Sequence, residues 1–367
     1  MSRRVAGVVR TGLGQAAAFT SLSWAQQQFR TTLGMEPFPG TLNLLLDPAG
    51  LADWQALTVQ PGLAIAPERP GDCAARCYPV LASVPGQTPV TAGILIPEVP
   101  GYAPDQIEVL AAVPLRQALR VADGDTVTLR TVPVPTLRAV LFDVDGTLVN
   151  SIAGYRLAAQ RAVEPYGWSV SQEVVRAAMN FGEQFWDLVV PPESRGDLKL
   201  IAKLRRDTLA HWPAILADSV LLYPETGAML ATLKAAGVRL GICTASHGES
   251  FRPLEQSGLL DLFDQVVTAK DVAHRKPDPE GLLLCLDRMG VGAAESAYIG
   301  DTVADVRASH AAGLYAVGVL TGAGDSALLS AAGAHRLLAD LRYLPELLLG
   351  FRQITPSRDS VVISSGL

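Results

Sequence analysis

The chain is poor in charge, in aromatic side chains and in cysteine. Only 18% of its 367 residues are Asp, Glu, Lys or Arg, and the net charge is −6, so no basic field marks a nucleic-acid partner. One cationic cluster, Lys199, Lys203, Arg205 and Arg206, reads as the solvated face of a helix. Four cysteines (Cys73, Cys77, Cys243, Cys285) make no disulfide framework, and Cys73 and Cys77 lack the second ligand pair of a zinc site. No apolar run approaches the roughly 18 residues of a membrane span. The opening, MSRRVAGVVRTGLG, has arginines but no sustained apolar segment behind them, unlike a secretory signal. A soluble, cytoplasmic protein is expected, without nucleic-acid or membrane partners. At 367 residues the chain is long enough for roughly two or three folding units, and 49% of its residues are of hydrophobic type, a globular composition.

The most informative stretch is RAVLFDVDGTLVNS, from Arg138 to Ser151. An apolar run (Ala139, Val140, Leu141, Phe142) ends in Asp143 and Asp145, followed by Gly146 and Thr147. Such a run suits a strand buried on both faces. Carboxylates at its C-terminal edge stand where open α/β sheets place their active sites. The pair, with the Val144 carbonyl between, offers hard oxygen ligands for Mg²⁺. One carboxylate can attack phosphorus while the other moves a proton. Taken alone, the same residues also fit a strand ending in an Asp-Gly turn.

Before this stretch the pattern reads mostly as β. Short apolar segments recur at Val5–Val9, Thr41–Leu46, Thr91–Ile96, Ile107–Ala111 and Thr126–Val132, with Gly, Pro and Asp turns between them. One helix is expected between Ser21 and Leu33, with Ser23 as its cap, and Asp123-Gly124-Asp125 reads as a hairpin turn. The sum suggests a small barrel. Gly12-Leu13-Gly14 follows a strand and could bring backbone N–H groups to a phosphate. Alternation in Gly40-Thr41-Leu42-Asn43 puts the Thr41 hydroxyl and the Asn43 amide on one strand face, where neutral oxygens can complete a Mg²⁺ shell.

After a proline-marked linker, Thr131 to Thr136, strands alternate with helices: Val140–Phe142, Arg239–Cys243, Ser296–Ile299 and Ala316–Leu320. This predicts a parallel sheet between helices. Residues 153–222 carry helical periodicity and no strand signal, which suits a cap over the site, with Arg156, Phe185 and Trp186 as candidate substrate contacts. Three further landmarks fall at strand ends. Thr244 follows Leu240–Cys243, with Ser246 and His247 close behind; Lys276 sits in Arg275-Lys276-Pro277-Asp278-Pro279; and Gly300-Asp301-Thr302-Val303-Ala304-Asp305 closes the next strand. If helical, Asp301 and Asp305 share a face one turn apart, as a metal site facing Asp143 would need.

Two resemblances sharpen these expectations. Residues 5–48 and 93–127 look like the opening and closing parts of the archaeal-type CTP-dependent riboflavin kinases. That likeness implies a cradle-loop barrel that transfers phosphate from CTP to riboflavin and makes FMN. It would have Gly12, Leu13, Gly14 and Gln15 around the nucleotide, and Thr41 and Asn43 on the metal. Glu108 would lie against flavin, with Val113, Pro114, Leu115 and Arg116 along the cytidine pocket. This chain differs from the family at Val99-Pro100 and at Pro114. Residues 138–350 resemble the haloacid-dehalogenase-like phosphatases with a helical cap. By that resemblance Asp143 is the nucleophile, Asp145 the acid and base, and Thr244 and Lys276 bind the phosphoryl group. Asp143, the Val144 carbonyl, Asp301 and Asp305 would arrange Mg²⁺.

The expected architecture is a riboflavin-kinase-like barrel (residues 1–134) and a Rossmann-like α/β core (135–152 and 223–350). A helical cap (153–222) and a tail (351–367) complete it. The expected activity is hydrolysis of a small phosphate monoester of the flavin pathway, beside CTP-dependent riboflavin phosphorylation. The alternative is a barrel that only senses flavin or nucleotide, beside a phosphoglycolate-type phosphatase.

Overall fold

A computed structural model describes residues 3–12, 15–59, 62–67, 73–181, 185–218, 221–246 and 249–349. Seven strands form the first sheet: β1 (Arg4–Arg10), β2 (Leu42–Leu45), β3 (Leu63–Ile65), β4 (Ala75–Ser83), β5 (Val90–Pro97), β6 (Gln106–Leu110) and β7 (Thr126–Arg130). Their order is β3-β4-β5-β6-β2-β1-β7, and pairing of β4 with β7 closes β4, β5, β6, β2, β1 and β7 into an antiparallel barrel. Val5, Val9, Leu44, Ile94, Ile107, Val109, Val127 and Leu129 fill it. Alternate residues of each strand point inward, so this core needs the two-residue period of the sequence.

Several local expectations change. Ser23 is the first residue of the helix Ser23–Leu33 rather than its cap; the N-cap is Leu22, with no side-chain hydrogen bond. The turn at Gly124, with φ +96°, leads from the helix Leu115–Ala118 into β7 and so is not a hairpin between strands. β4 and the helix Pro48–Leu57 were not foreseen. The linker is no free spacer, because Val132 is buried in the core of the second sheet.

That sheet comprises β8 (Ala139–Phe142), β9 (Arg239–Cys243), β10 (Gln265–Val267), β11 (Ser296–Gly300), β12 (Tyr315–Val319) and β13 (Arg336–Leu338). All are parallel, in the order β10-β9-β8-β11-β12-β13. The chain winds outward from β8 through β9 and β10, then returns to β11 on the other side of β8. The order therefore reverses between β8 and β11, where the carboxyl ends of the strands open a crevice. Among the described residues four helices, Ser151–Val163, Gln172–Phe181, Phe185–Val189 and Leu198–Asp218, lie between β8 and the helix Thr226–Ala235 that leads into β9. They carry an apolar core of their own that includes Ile152, Val163, Trp186 and Leu204.

The two sheets share a third core. Phe29, Leu33, Met35 and Leu95 from the barrel side pack with Ala316, Leu329 and Leu337 from the α/β side. Across this seam the Ser330 hydroxyl donates to the Thr91 carbonyl at 2.6 Å, and the Thr91 hydroxyl donates to Ala334 O. A cavity of about 1150 Å³ opens along the seam, lined by residues such as Leu33, Tyr78 and Arg336, and it includes none of the clustered aspartates.

Candidate active sites

At the crevice between β8 and β11 the Asp143 N–H donates to Ile299 O at 2.8 Å, which fixes its carboxylate over the sheet edge. Carboxylate oxygens of Asp143, Asp301 and Asp305, all three buried, lie within 4.8 Å of one another. Lys276 Nζ reaches into the group, 2.8 Å from Asp143 Oδ1, 2.6 Å from Asp305 Oδ1 and 2.8 Å from the Tyr298 hydroxyl. Three buried carboxylates against one ammonium leave an excess of negative charge. Burial pushes the Asp143 carboxyl up, Lys276 pulls it back, and Asp305 and Asp145 push it further. Asp301 is raised by burial and by the charges of Asp305 and Asp143. Burial works to lower the Lys276 ammonium, yet Asp143 and Asp305 hold it above its ordinary value. A divalent cation answers such an excess, so the donor set fits one.

The backbone shows which oxygens remain for it. Val144 O accepts the N–H groups of Thr147, Leu148 and Val149 at 3.2, 3.0 and 2.9 Å. Its lone pairs are taken, so the carbonyl expected as a metal ligand closes a turn instead. Asp301 stands at the end of β11, outside the helix Val303–Ala312, so the expected shared helix face is absent. Asp305 belongs to a capping box: its Oδ2 accepts from Thr302 N at 2.9 Å and Thr302 Oγ1 at 2.6 Å. With Oδ1 on Lys276, its acceptor capacity is largely used inside the protein. Asp301 is cradled closely, accepting from Ala323 N at 2.6 Å and Thr147 Oγ1 at 3.3 Å. A Cβ on Gly146 or Gly322 would come within 2.5 or 1.9 Å of its Oδ2.

Thr244 lies buried beyond β9, its N–H on Val267 O at 3.0 Å, and it lines one small cavity together with Lys276. Ser250 Oγ donates to Asp145 Oδ1 at 2.5 Å. Ser250 and Tyr298 were not singled out in the sequence, because nothing local marks a serine 105 residues from its partner. His247 lies outside the described residues. Of the cap candidates, Trp186 is buried in the cap core, and Phe185 packs edge-on against Tyr155, ring centres 5.3 Å apart; Arg156 is half-buried.

A second constellation sits on the barrel. Asn43 of β2 stands directly opposite Glu108 of β6. Thr41 Oγ1 donates to Glu108 Oε2 at 3.0 Å, the Tyr102 hydroxyl to Glu108 Oε1 at 3.4 Å, and Gln106 Nε2 to Asn43 Oδ1 at 3.2 Å. Gly12 lies against this group; a Cβ there would be 2.2 Å from Asn43 Nδ2. Thr11 beside it is tied to Asp123 through N and Oγ1, and Asp123 pairs with Arg116 at 2.6 Å. Arg116 also donates to Arg10 O at 3.0 Å. Glycine loop, β2–β6 oxygens and the 113–116 segment are thereby linked, with Pro114 capping the helix Leu115–Ala118. Leu13 and Gly14 lie outside the described residues, and Gln15 opens the helix Gln15–Thr20.

Residues 140–319 match the family model of the haloacid dehalogenase-like hydrolases. A phosphoglycolate phosphatase of Rhodospirillum rubrum is 34% identical over 187 residues, 48% of this chain and 77% of that protein. The chain belongs to the haloacid dehalogenase-like hydrolases. It is a phosphoric monoester hydrolase of that family. A phosphoglycolate phosphatase of Neisseria meningitidis is 31% identical over 58% of this chain and 92% of that protein. The solved structure of a predicted phosphoglycolate phosphatase from Haemophilus somnus 129pt aligns with a TM-score of 0.50 at 21% identity. It covers 57% of this hydrolase chain and 96% of that one, a likeness of fold. Residues 9–131 match the CTP-dependent riboflavin kinase family model, described as a domain of unknown function, DUF120. The hydrolase therefore carries a riboflavin-kinase-family domain on the same chain.

Proposed function

We propose that the crevice hydrolyses a small phosphate monoester through an aspartyl-phosphate, with Mg²⁺ as its cation. The observation that carries this reading is the buried Asp143 with Lys276 Nζ at 2.8 Å and a second carboxylate, Asp145, held by Ser250. An Asp143 oxygen attacks phosphorus and the ester P–O bond breaks. The departing alkoxide takes its proton from the Asp145 carboxyl group. Asp145, now a carboxylate, takes a proton from water; that water attacks the same phosphorus and frees phosphate and Asp143. Thr244 and Lys276 hold the phosphoryl oxygens, and Lys276 offsets charge as the five-coordinate species forms. Asp143 and Asp301 would hold the Mg²⁺, which supplies further positive charge against those oxygens when bound. Asp305 acts through Lys276, which it orients.

For the barrel we infer CTP-dependent phosphorylation of riboflavin to FMN. The grouping of Gly12, Thr41, Asn43 and Glu108 supports it, with neutral oxygens for a metal-bound nucleotide and a carboxylate for the flavin. Its presence beside a phosphatase associates the phosphatase with flavin-pathway esters in the cytoplasm. The Thr41 and Asn43 oxygens are already engaged with Glu108 and Gln106, so nucleotide binding must exchange those bonds. A second reading has two supports. Proline at 100 and 114 leaves both positions without an N–H donor, as suits a sensor, and the curated relatives include phosphoglycolate phosphatases.

The deciding experiment uses the Asp143→Asn variant, so that hydrolysis cannot hide a product. Riboflavin, Mg²⁺ and either CTP or ATP are supplied, and FMN is quantified by chromatography. FMN formed with CTP but not ATP establishes the kinase. No FMN from a folded protein leaves the barrel as a binding module.

A further inference from the structure

Tyr298 stands in the middle of β11, 1% exposed, with its ring in the apolar cluster that holds Leu141, Cys243 and Ala308. A phenol buried this deeply needs partners for its hydroxyl. The oxygen accepts from Lys276 Nζ at 2.8 Å. Its proton can go to Cys243 O at 2.7 Å or to Asp305 Oδ1 at 3.3 Å. A hydroxyl has one proton, and the shorter contact gives it to Cys243. β8 runs between β9 and β11, so the phenol reaches across β8 from one strand to the tip of the other. The carbonyl it meets belongs to the same peptide unit as the Thr244 N–H, which donates to Val267 O at 3.0 Å. That peptide is held at both ends, and it anchors the phenol oxygen in turn.

Lysine carries its charge on a flexible stem and acts on phosphoryl oxygens as a point charge, so its effect depends on where Nζ stands. Asp143 Oδ1 and Asp305 Oδ1 draw it from 2.8 and 2.6 Å. Two contacts leave the ammonium free to swing about the axis through them, and the anchored Tyr298 oxygen is the third that stops it. Nζ lies 5.4 Å from the centre of the Tyr298 ring, close to the sum of its contact with the hydroxyl and the span from ring centre to phenol oxygen. The ammonium therefore meets the hydroxyl and not the face of the ring. The three contacts also differ in what the reaction does to them. Asp143 exchanges its negative charge for a bond to phosphorus, which loosens its hold on Lys276 while the intermediate lasts; the neutral phenol is unchanged throughout. We propose that Tyr298 is a positioning residue for the phosphatase, whose hydroxyl keeps the Lys276 ammonium in place while Asp143 is bonded to phosphorus. This rests on the phosphatase reading above and adds the group that holds its lysine.

The test compares wild type, Tyr298→Phe and Tyr298→Met as full chains with Mg²⁺, on p-nitrophenyl phosphate and phosphoglycolate, with orthovanadate and inorganic phosphate as inhibitors. Both variants lose the hydroxyl, and only the second also loses the ring. In both, kcat should fall by about tenfold to hundredfold, the worth of a hydrogen bond to a charged group, with KM within about threefold of wild type. Orthovanadate adopts the five-coordinate geometry, so its inhibition constant should rise by the factor that kcat/KM falls, while that of phosphate moves by less than about threefold. Circular dichroism melts establish folding and should rank Tyr298→Met below Tyr298→Phe, since packing and not the hydroxyl separates them. Either variant alone, if folded, decides the matter. A kcat within about threefold of wild type overturns the proposal. So does a fall in kcat with vanadate inhibition unchanged, which marks fewer active molecules rather than a displaced charge. Both outcomes leave the phosphatase reading standing; a folded wild type that hydrolyses neither ester overturns that reading and this proposal together.

Discussion

Acidification should weaken this protein through one imidazole, His335. Its Nδ1 accepts the Ala316 N–H at 2.9 Å, and the His335 backbone N–H donates to Ala316 O at 2.9 Å. The ring lies tilted against Tyr315, centres 5.1 Å apart, and edge-on to His310 at 4.8 Å. A ring nitrogen that accepts a backbone N–H must be unprotonated. Burial, then His310, Arg130 and Arg336, push the group down to about 3. The unfolded chain takes up a proton near pH 6.5, the ordinary histidine value, while the folded chain stays neutral. Between those limits the unfolded state binds more protons, so stability falls as pH falls, by about 1.4 kcal/mol per unit. From pH 6.5 to 5 the loss is about 2 kcal/mol from this residue alone. Urea unfolding at pH 7, 6 and 5 should reveal it by comparison with His335→Asn, whose amide oxygen can accept the same N–H but does not titrate. Carboxylates that titrate lower affect both proteins alike. The variant should lose less stability on acidification; equal losses in the two proteins would refute the account.

Ser250→Ala removes the hydroxyl that holds Asp145 at 2.5 Å; kcat should fall about tenfold to hundredfold with KM little changed, the worth of a hydrogen bond to a charged group. Gly12→Ala would drive a Cβ to 2.2 Å from Asn43 Nδ2, so CTP-dependent FMN formation should be lost while phosphate-ester hydrolysis continues at the wild-type rate. Gly34 has φ +63°, and a Cβ there would meet the Leu337 backbone at 2.1 Å. Gly34→Ala should therefore cost at least about 1–3 kcal/mol from the backbone conformation alone, read by calorimetry as a lower melting temperature; an unchanged melt would mean that the seam yields freely.

The α/β half was legible because buried parallel strands are written as apolar runs: β8, β9, β11 and β12 all were, and β8, β9 and β11 are each followed directly by a polar residue, Asp143, Thr244 and Asp301. The barrel was less so. β4 has Pro79 in its middle, opposite Gly93, and proline argues against a strand until the pairing is seen. The helix Pro48–Leu57 hid behind Pro48 and Gly50, yet Asp47 caps it and proline suits its first turn. Three-residue strands such as β3, β10 and β13 carry too little pattern to register. The errors at the site share one origin. Spacing placed Asp301 and Asp305 on a helix and gave Val144 a ligand's role, but turn and capping hydrogen bonds decide which oxygens stay available. Ser250 and Tyr298 owe their significance to residues remote in sequence, and no local signal could have marked them.

The apolar seam between the sheets bears on the history of the chain. Phe29, Leu33, Leu329 and Leu337 would all meet water if the gene were cut in the 131–137 region and the halves made apart. Each piece would then display a sticky greasy flank, and co-expression of the two fragments should yield a clinging pair where either fragment alone precipitates. A descendant that discarded one catalyst would need to repaint that flank with polar residues first. Domains joined in this way are therefore inherited as a package, and their ratio in a cell is fixed at one to one by the chain itself.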